Sequence, residues 1–246
     1  MSTPAISLDK VTKRYKGNNK TAVNELSITI PKGEIYGLLG HNGAGKSTTV
    51  MMICGLLERN SGSIKVFGDD PADDGAAVRK RVGVATQDIA LFPSLTAMEN
   101  LQYLSHMYGV KPDKGKLNAL LERFGLSDNA GKKIDKYSGG MKRRLNLVAS
   151  ILHDPELLIL DEPTAGVDVQ SRVMIISYLK ELNASGMTII YSSHILEEVE
   201  RLCERVGFMS EGVLMEEGAT TDLLAKYKTD SLEAVYLAIA GKSISA

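Results

Sequence analysis

The chain has 246 residues, a formal net charge of −1, and 24% charged against 43% hydrophobic residues. That is the balance of a globular protein large enough for one core with a subdomain inserted. A pI of about 6.4 gives no global field that would draw the chain to nucleic acid or anionic lipid. Met1-Ser2-Thr3-Pro4 opens no secretory apolar segment, and no run approaches the ~20 apolar residues that span a bilayer. Cys54 and Cys203 lie in apolar-periodic stretches and read as small buried hydrophobes of a reducing compartment. The expectation is a cytoplasmic protein. The basic clusters Arg79-Lys80-Arg81, Lys132-Lys133 and Lys142-Arg143-Arg144 read as solvated helix faces.

Ile6 to Tyr15 alternates loosely and predicts a strand, turned at Gly17-Asn18-Asn19 into a second strand, Ala22 to Ile30. Glu34 to Leu39 is a third, entering a glycine-rich loop and a helix that ends near Gly55. Ile64 to Phe67 predicts a short strand, Asp73 to Arg81 a helix, and Val82 to Ala85 a buried strand ending at Gln87. Thr96-Ala97-Met98-Glu99 is a capping box that starts a helix through Leu101, Leu104 and Tyr108. Leu117 to Phe124 marks a second helix, stopped by Gly125, and Met141 to Leu152 a third. Leu157 to Leu160 is an apolar strand of the parallel-sheet kind. Val173, Ile176 and Leu179 define one side of the next helix, Thr188 to Tyr191 the next strand, and Ile195 to Cys203 an amphipathic helix. Val206 to Met209 and Val213 to Met215 pair across Glu211-Gly212. Two short helices, near Thr221 to Lys226 and Ser231 to Ala240, finish the chain.

Three stretches carry chemistry. Gly40-His41-Asn42-Gly43-Ala44-Gly45-Lys46-Ser47, followed by Thr48, fits the phosphate-binding pattern G-x-x-x-x-G-K-[ST] between a strand and a helix. Small residues let backbone N–H groups wrap a phosphate, and the new helix aims its positive end at the same anion. Lys46 adds a full charge for the β- and γ-phosphates, and the Ser47 hydroxyl can ligate Mg²⁺. The apolar strand Leu157–Leu160 delivers Asp161 and Glu162 at its C-terminal end, where open α/β sheets bind ligands. Asp161 can hold the same Mg²⁺, directly or through water, and Glu162 can orient or deprotonate an attacking water. Ser138-Gly139-Gly140 opens a helix and offers a second anion site. One subunit cannot easily aim both helix ends at one γ-phosphate, whereas a second copy facing it can.

The order of these motifs, over nearly the whole chain, resembles the ATP-binding subunit of an ABC transporter. The resemblance implies that Tyr15 stacks on adenine, that Gln87 contacts Mg²⁺ and senses a membrane partner, and that His194 is the switch histidine at the γ-phosphate. It also implies that Tyr137-Ser138-Gly139-Gly140-Met141 is the signature, departing from Leu-Ser-Gly-Gly-Gln at both ends, and that Ala165-Gly166-Val167-Asp168 is the D-loop. The expected fold is α/β: a P-loop NTPase with a RecA-like, mainly parallel sheet, an N-terminal antiparallel β subdomain and an inserted helical subdomain. Residues 1–246 form one ATP-binding domain, with a nucleotide-binding core at 1–86 and 154–219, a helical subdomain at 87–153 and a short helical tail at 220–246.

The implied activity is hydrolysis of MgATP by Glu162, His194 and Lys46 at the interface of a head-to-tail dimer, a homodimer carrying two complete sites or a heterodimer with a related subunit. Separate transmembrane permease subunits would hold the chain on the cytoplasmic face of the membrane. The short tail, Asp230 to Gly241, resembles that of ABC-2-type exporters of drugs and sodium, and so does Gly40-His41-Asn42-Gly43; this favours export over import. Rival readings fit less well. A ribosome-associated ATPase of this kind usually carries two cassettes, and a DNA-maintenance ATPase needs a long coiled coil where roughly 90 residues separate Ser47 from Ser138. A GTPase needs a downstream Asn-Lys-x-Asp, and the only Asn-Lys, Asn19-Lys20, lies upstream.

Overall fold

The computed structural model describes residues 3–17 and 20–244; Met1 and Ser2, and Asn18 and Asn19 of the predicted turn, lie outside them. In chain order the strands are β1 (Ile6–Arg14), β2 (Thr21–Ile30), β3 (Ile35–Leu39), β4 (Ser61–Val66), β5 (Val82–Ala85), β6 (Leu157–Asp161), β7 (Thr188–Ser193), β8 (Arg205–Ser210) and β9 (Val213–Ala219). The α-helices are α1 (Lys46–Ile53), α2 (Gly75–Arg81), α3 (Ala97–Met107), α4 (Lys114–Arg123), α5 (Gly139–Ser150), α6 (Val169–Ala184), α7 (Leu196–Leu202), α8 (Thr220–Tyr227) and α9 (Leu232–Ile244).

The strands fall into two sheets. An antiparallel sheet in the order β2-β1-β4 contains the predicted hairpin. The larger sheet runs β5-β6-β7-β3-β8-β9, parallel except for β9, which returns against β8. Strands β3, β6 and β7 are buried along their whole length, which is why they read as unbroken apolar runs. Alternate residues serve opposite faces. Leu157 and Ile159 join Tyr36, Ile190, Ile64 and Ile28 in a core shared with the antiparallel sheet, whereas Leu158 and Leu160 join Tyr191, Leu145, Val148 and Val199 beneath the helices. The predicted mixed α/β architecture is therefore the observed one.

The capping box forms as read: Thr96 Oγ1 accepts from Glu99 N–H at 3.2 Å, and Glu99 Oε2 accepts from Thr96 N–H at 2.8 Å. Several local expectations are corrected. In α6 the buried side consists of Ser171, Ile175 and Leu179, and Val173 is 61% exposed; Val173 lies two residues from Ile175, on the other side of a 3.6-residue turn. Strand β4 begins at Ser61 and stops before Phe67, whose φ of 52° breaks the extended backbone. Of the basic clusters, Lys132 and Lys133 are exposed but lie on a bend and an isolated bridge rather than on a helix, whereas Arg81 pairs with Glu156 at 2.6 Å and Arg144 Nη1 donates to the Phe124 carbonyl at 2.7 Å. Cys54 and Cys203 are buried and unpaired, and burial pushes the Cys54 thiol up to about 12. Among the described residues no helix is long and apolar enough to cross a membrane.

Candidate nucleotide site

Strand register assembles the site. Leu39 of β3 lies beside Ser193 of β7, and Asp161 of β6 beside Ser192 of β7. Three strands therefore end together at the C-terminal edge of the sheet, where the chain leaves each of them as a functional loop. Between β3 and α1 the loop is shaped by glycine. Gly45 caps α1 at φ 105°, and a Cβ there would stand 2.5 Å from the Ala22 carbonyl oxygen. A Cβ on Gly40 would stand 2.4 Å from the Met209 carbonyl oxygen. Neither position tolerates a side chain without moving backbone.

Lys46 folds back over this loop and donates to the Gly40 carbonyl at 2.6 Å and the His41 carbonyl at 3.2 Å. Burial lowers its pKa, and the charges of Glu162 and Asp161 oppose that shift. Ser47 Oγ donates to Asp161 Oδ2 at 2.7 Å, and Ser192 Oγ donates to Asp161 Oδ1 at 3.0 Å. Both carboxylate oxygens of Asp161 are thus engaged, and the hydroxyl–carboxylate pair closes one side of a cavity of about 290 Å³. Asn42, Gly43, Gly45, Lys46, Ser47, Thr48, Gln87 and Glu162 line the same cavity.

Glu162 is 4% exposed and sits at φ 54°. A non-glycine residue held there costs about 1–3 kcal/mol, and such strain collects at functional sites. Neither carboxylate oxygen accepts a hydrogen bond. His194 Nδ1 stands 2.8 Å from Oε2, close but without an aligned N–H, on a side chain that is 58% exposed. A buried carboxylate without donors is an acceptor facing the cavity.

The remaining sequence candidates fall into two groups. Tyr15 reaches the loop's edge, its hydroxyl 3.2 Å from Thr48 Oγ1, with the ring 40% exposed. Ala44 is buried within the loop, and His41 forms its outer wall beside Gly40, His194, Leu196 and Tyr236 around a smaller cavity. Ser138, Gly139, Gly140 and Asp168 do not line this cavity. Ser138 caps α5 and accepts from Met141 N–H at 3.2 Å. Asp168 caps α6, and its bonds from Ser171 N–H (2.9 Å) and Ser171 Oγ (2.7 Å) hold its carboxyl below the usual range. A Cβ on Gly140 would be 3.9 Å from Asp168 Oδ2, so signature and D-loop share one surface. Of the two departures from the common signature, Tyr137 has a local explanation: it is buried and donates to the Asn129 carbonyl at 2.8 Å, filling an apolar position.

Three contributors escape sequence reasoning. Ala22, inside β2, lines the cavity, and no property of a strand alanine signals that. Arg143 Nη1 donates to the Gln87 carbonyl at 2.6 Å, and Asn146 Nδ2 to the Thr86 carbonyl at 3.2 Å. Their i, i+3 spacing on α5 was the available signal; it showed a shared face and not its target.

Similarity to known proteins agrees with this geometry. The family model described as "ABC transporter" matches residues 23–165. The linearmycin resistance ATP-binding protein LnrL of Bacillus subtilis (strain 168) is 44% identical over 238 residues, 96% of this chain and 75% of that protein. The Nod factor export ATP-binding protein I of Burkholderia orbicola (strain AU 1054) is 41% identical over 226 residues, 91% of this chain and 74% of that protein. Among solved structures, a dimeric ATP-binding cassette in a post-hydrolysis state bound to ADP and Pi superposes with a TM-score of 0.79 at 25% identity, covering 87% of this chain and 98% of that one. With a phosphate loop, paired acids and His194 at one sheet edge, the chain belongs to the ABC transporter family, as an ATP-binding subunit that hydrolyses ATP.

Proposed function

We propose that the chain hydrolyses MgATP at the interface of a head-to-tail homodimer and drives export through separate permease subunits on the cytoplasmic face of the membrane. The observation that carries this reading is the split of the site. The phosphate loop, Asp161 and Glu162 line one cavity, while Ser138, Gly139, Gly140 and Asp168 lie outside its lining, with Gly140 beside Asp168. Each chain thus holds two halves of different sites, which a second copy completes.

The Ser47 hydroxyl and Asp161 carboxylate are hard oxygen donors already 2.7 Å apart, a pair that suits Mg²⁺ completed by waters and phosphate oxygens. Ser47, Asp161 and Gln87 would hold the ion, which would supply positive charge against the phosphates. Tyr15 offers a ring face to adenine, and the Gly40–Thr48 loop and Lys46 hold the phosphates. Glu162 accepts a proton from the attacking water, and His194 orients the γ-phosphate from the adjoining loop. Ser138, Gly139 and Gly140 of the second copy bring a helix N-terminus to the same charge. The names of the linearmycin resistance and Nod factor export relatives favour export.

The test is Ser138→Glu. A carboxylate at an α-helix N-terminus favours the helix, so the fold is kept while the γ-phosphate is repelled across the interface. The variant should bind ATP as a monomer with wild-type affinity, yet neither dimerise in sedimentation nor hydrolyse. Wild-type hydrolysis by Ser138→Glu would exclude the head-to-tail site.

A further inference from the structure

Outside the cavity, one charged side chain is buried more deeply than its chemistry favours. Glu198, in α7, is 3% exposed, whereas Glu197 beside it keeps a side chain 70% exposed. Two hydroxyls converge on Glu198 Oε2: Thr164 Oγ1 and Tyr191 OH each donate at 2.6 Å. Arg172 Nε stands 2.9 Å from Oε1. Thr164 and Tyr191 are themselves fully buried, and burial, reinforced by Glu198, pushes the Tyr191 phenol above its ordinary range.

The four residues come from four segments that each carry a site residue. Thr164 follows Glu162 by two positions, with the rigid Pro163 between them; Tyr191 lies on β7 next to Ser192, which donates to Asp161. Glu198, in the first turn of α7, lies four positions beyond His194, and Arg172 one turn beyond the α6 cap Asp168. Glu162 occupies a strained backbone conformation, and such a residue persists only where its surroundings over-determine it. A buried charge is a poor device for stability, since apolar residues of similar volume often serve as well or better. The two hydroxyl hydrogen bonds to Glu198 Oε2, however, fix direction as apolar packing does not.

We propose that Glu198 is a positioning residue for hydrolysis, whose carboxylate locks the Glu162 turn to the His194 segment and to the first turn of α6. This rests on the reading that Glu162 and His194 face the γ-phosphate. None of the four residues lines the nucleotide cavity, so their loss acts on the geometry of the chemical step and spares nucleotide binding.

Steady-state hydrolysis by the full-length chain, with melting temperatures measured alongside, tests the proposal. Glu198→Ala should lower kcat about 10- to 100-fold, the scale of a misplacement near 1 Å, with KM for ATP changed less than about threefold. Glu198→Gln keeps an oxygen for both hydroxyls and should restore kcat to within about threefold of wild type. The near-isosteric pair Thr164→Val with Tyr191→Phe removes both donors, leaves Glu198 in place, and should reproduce the loss even if Glu198→Ala does not fold. Wild-type kcat in that double variant, a loss confined to KM, or a Gln variant as impaired as the Ala variant would overturn the proposal. Glu162→Gln measured in parallel separates the two readings. If it hydrolyses ATP normally, the assignment of Glu162 fails; if it is inactive while the Thr164/Tyr191 pair is normal, only the role of Glu198 fails.

Discussion

Glu162→Gln should move stability and activity in opposite directions. The carboxylate is 4% exposed, neither oxygen accepts a hydrogen bond, and its nearest basic neighbour is the largely exposed His194 at 2.8 Å. Keeping that charge out of water costs several kcal/mol, offset in part by attraction to Lys46. An amide of the same shape removes the cost and forfeits the attractions, while the strain at φ 54° is unchanged. The net gain is on the order of 1 kcal/mol, which for a chain of this length raises Tm by roughly 2–4 °C. Hydrolysis falls by about 10²–10⁴-fold for loss of the general base, or about 3–5 kcal/mol of barrier. Calorimetry without nucleotide reads the first quantity, and single-turnover hydrolysis with enzyme in excess reads the second. A variant that melts below wild type, or hydrolyses within about tenfold of it, refutes the account of Glu162 as a buried, donor-free base.

Two further outcomes follow from other parts of the molecule. Burial lowers the Lys46 pKa while Glu162 and Asp161 hold it up, so Lys46 loses its proton at lower pH in the folded chain than in the unfolded one. In that window the unfolded chain binds more protons, and the Lys46 contribution to stability rises with pH as the buried charge is relieved. ATP affinity moves the other way: without Mg²⁺ it should weaken toward alkaline pH, at lower pH still in Asp161→Asn, and the Lys46-linked limb should vanish in Lys46→Arg, whose guanidinium stays charged. An identical alkaline limb in Lys46→Arg would assign it to another group. Gly83→Ala tests the packing of β5 against α5, because the added Cβ would stand 2.0 Å from the Ser150 carbonyl oxygen and 2.9 Å from Pro155 Cγ. Such overpacking costs about 1–3 kcal/mol, a Tm loss of roughly 2–12 °C by calorimetry; an unchanged Tm would mean that α5 is free to shift.

The sequence by itself determined what short-range chemistry decides. Glycine at 40, 43 and 45 followed by Lys46 and Ser47 describes a loop whose backbone must pass close to other atoms, and the Gly45 clash with Ala22 is the tertiary form of that constraint. The Thr96 capping box and the buried runs of β3, β6 and β7 were legible for the same reason, since caps and hydrophobic period depend on neighbours a few residues away. Tertiary structure alone decided the rest. Strand β7 comes between β3 and β6 in the sheet although it is last of the three in sequence, and that order brings Ser47 to Asp161 and His194 to Glu162. Arg143 reads in sequence as one of three solvated basic residues, yet its Nη1 donates to the Gln87 carbonyl at 2.6 Å. Glu197 and Glu198 are indistinguishable as adjacent acids on an amphipathic helix, yet one is in water and the other anchors Thr164 and Tyr191. The difference arises because a side chain's burial and hydrogen-bond partners are set by segments distant in the chain, and no local period encodes which segment will lie opposite.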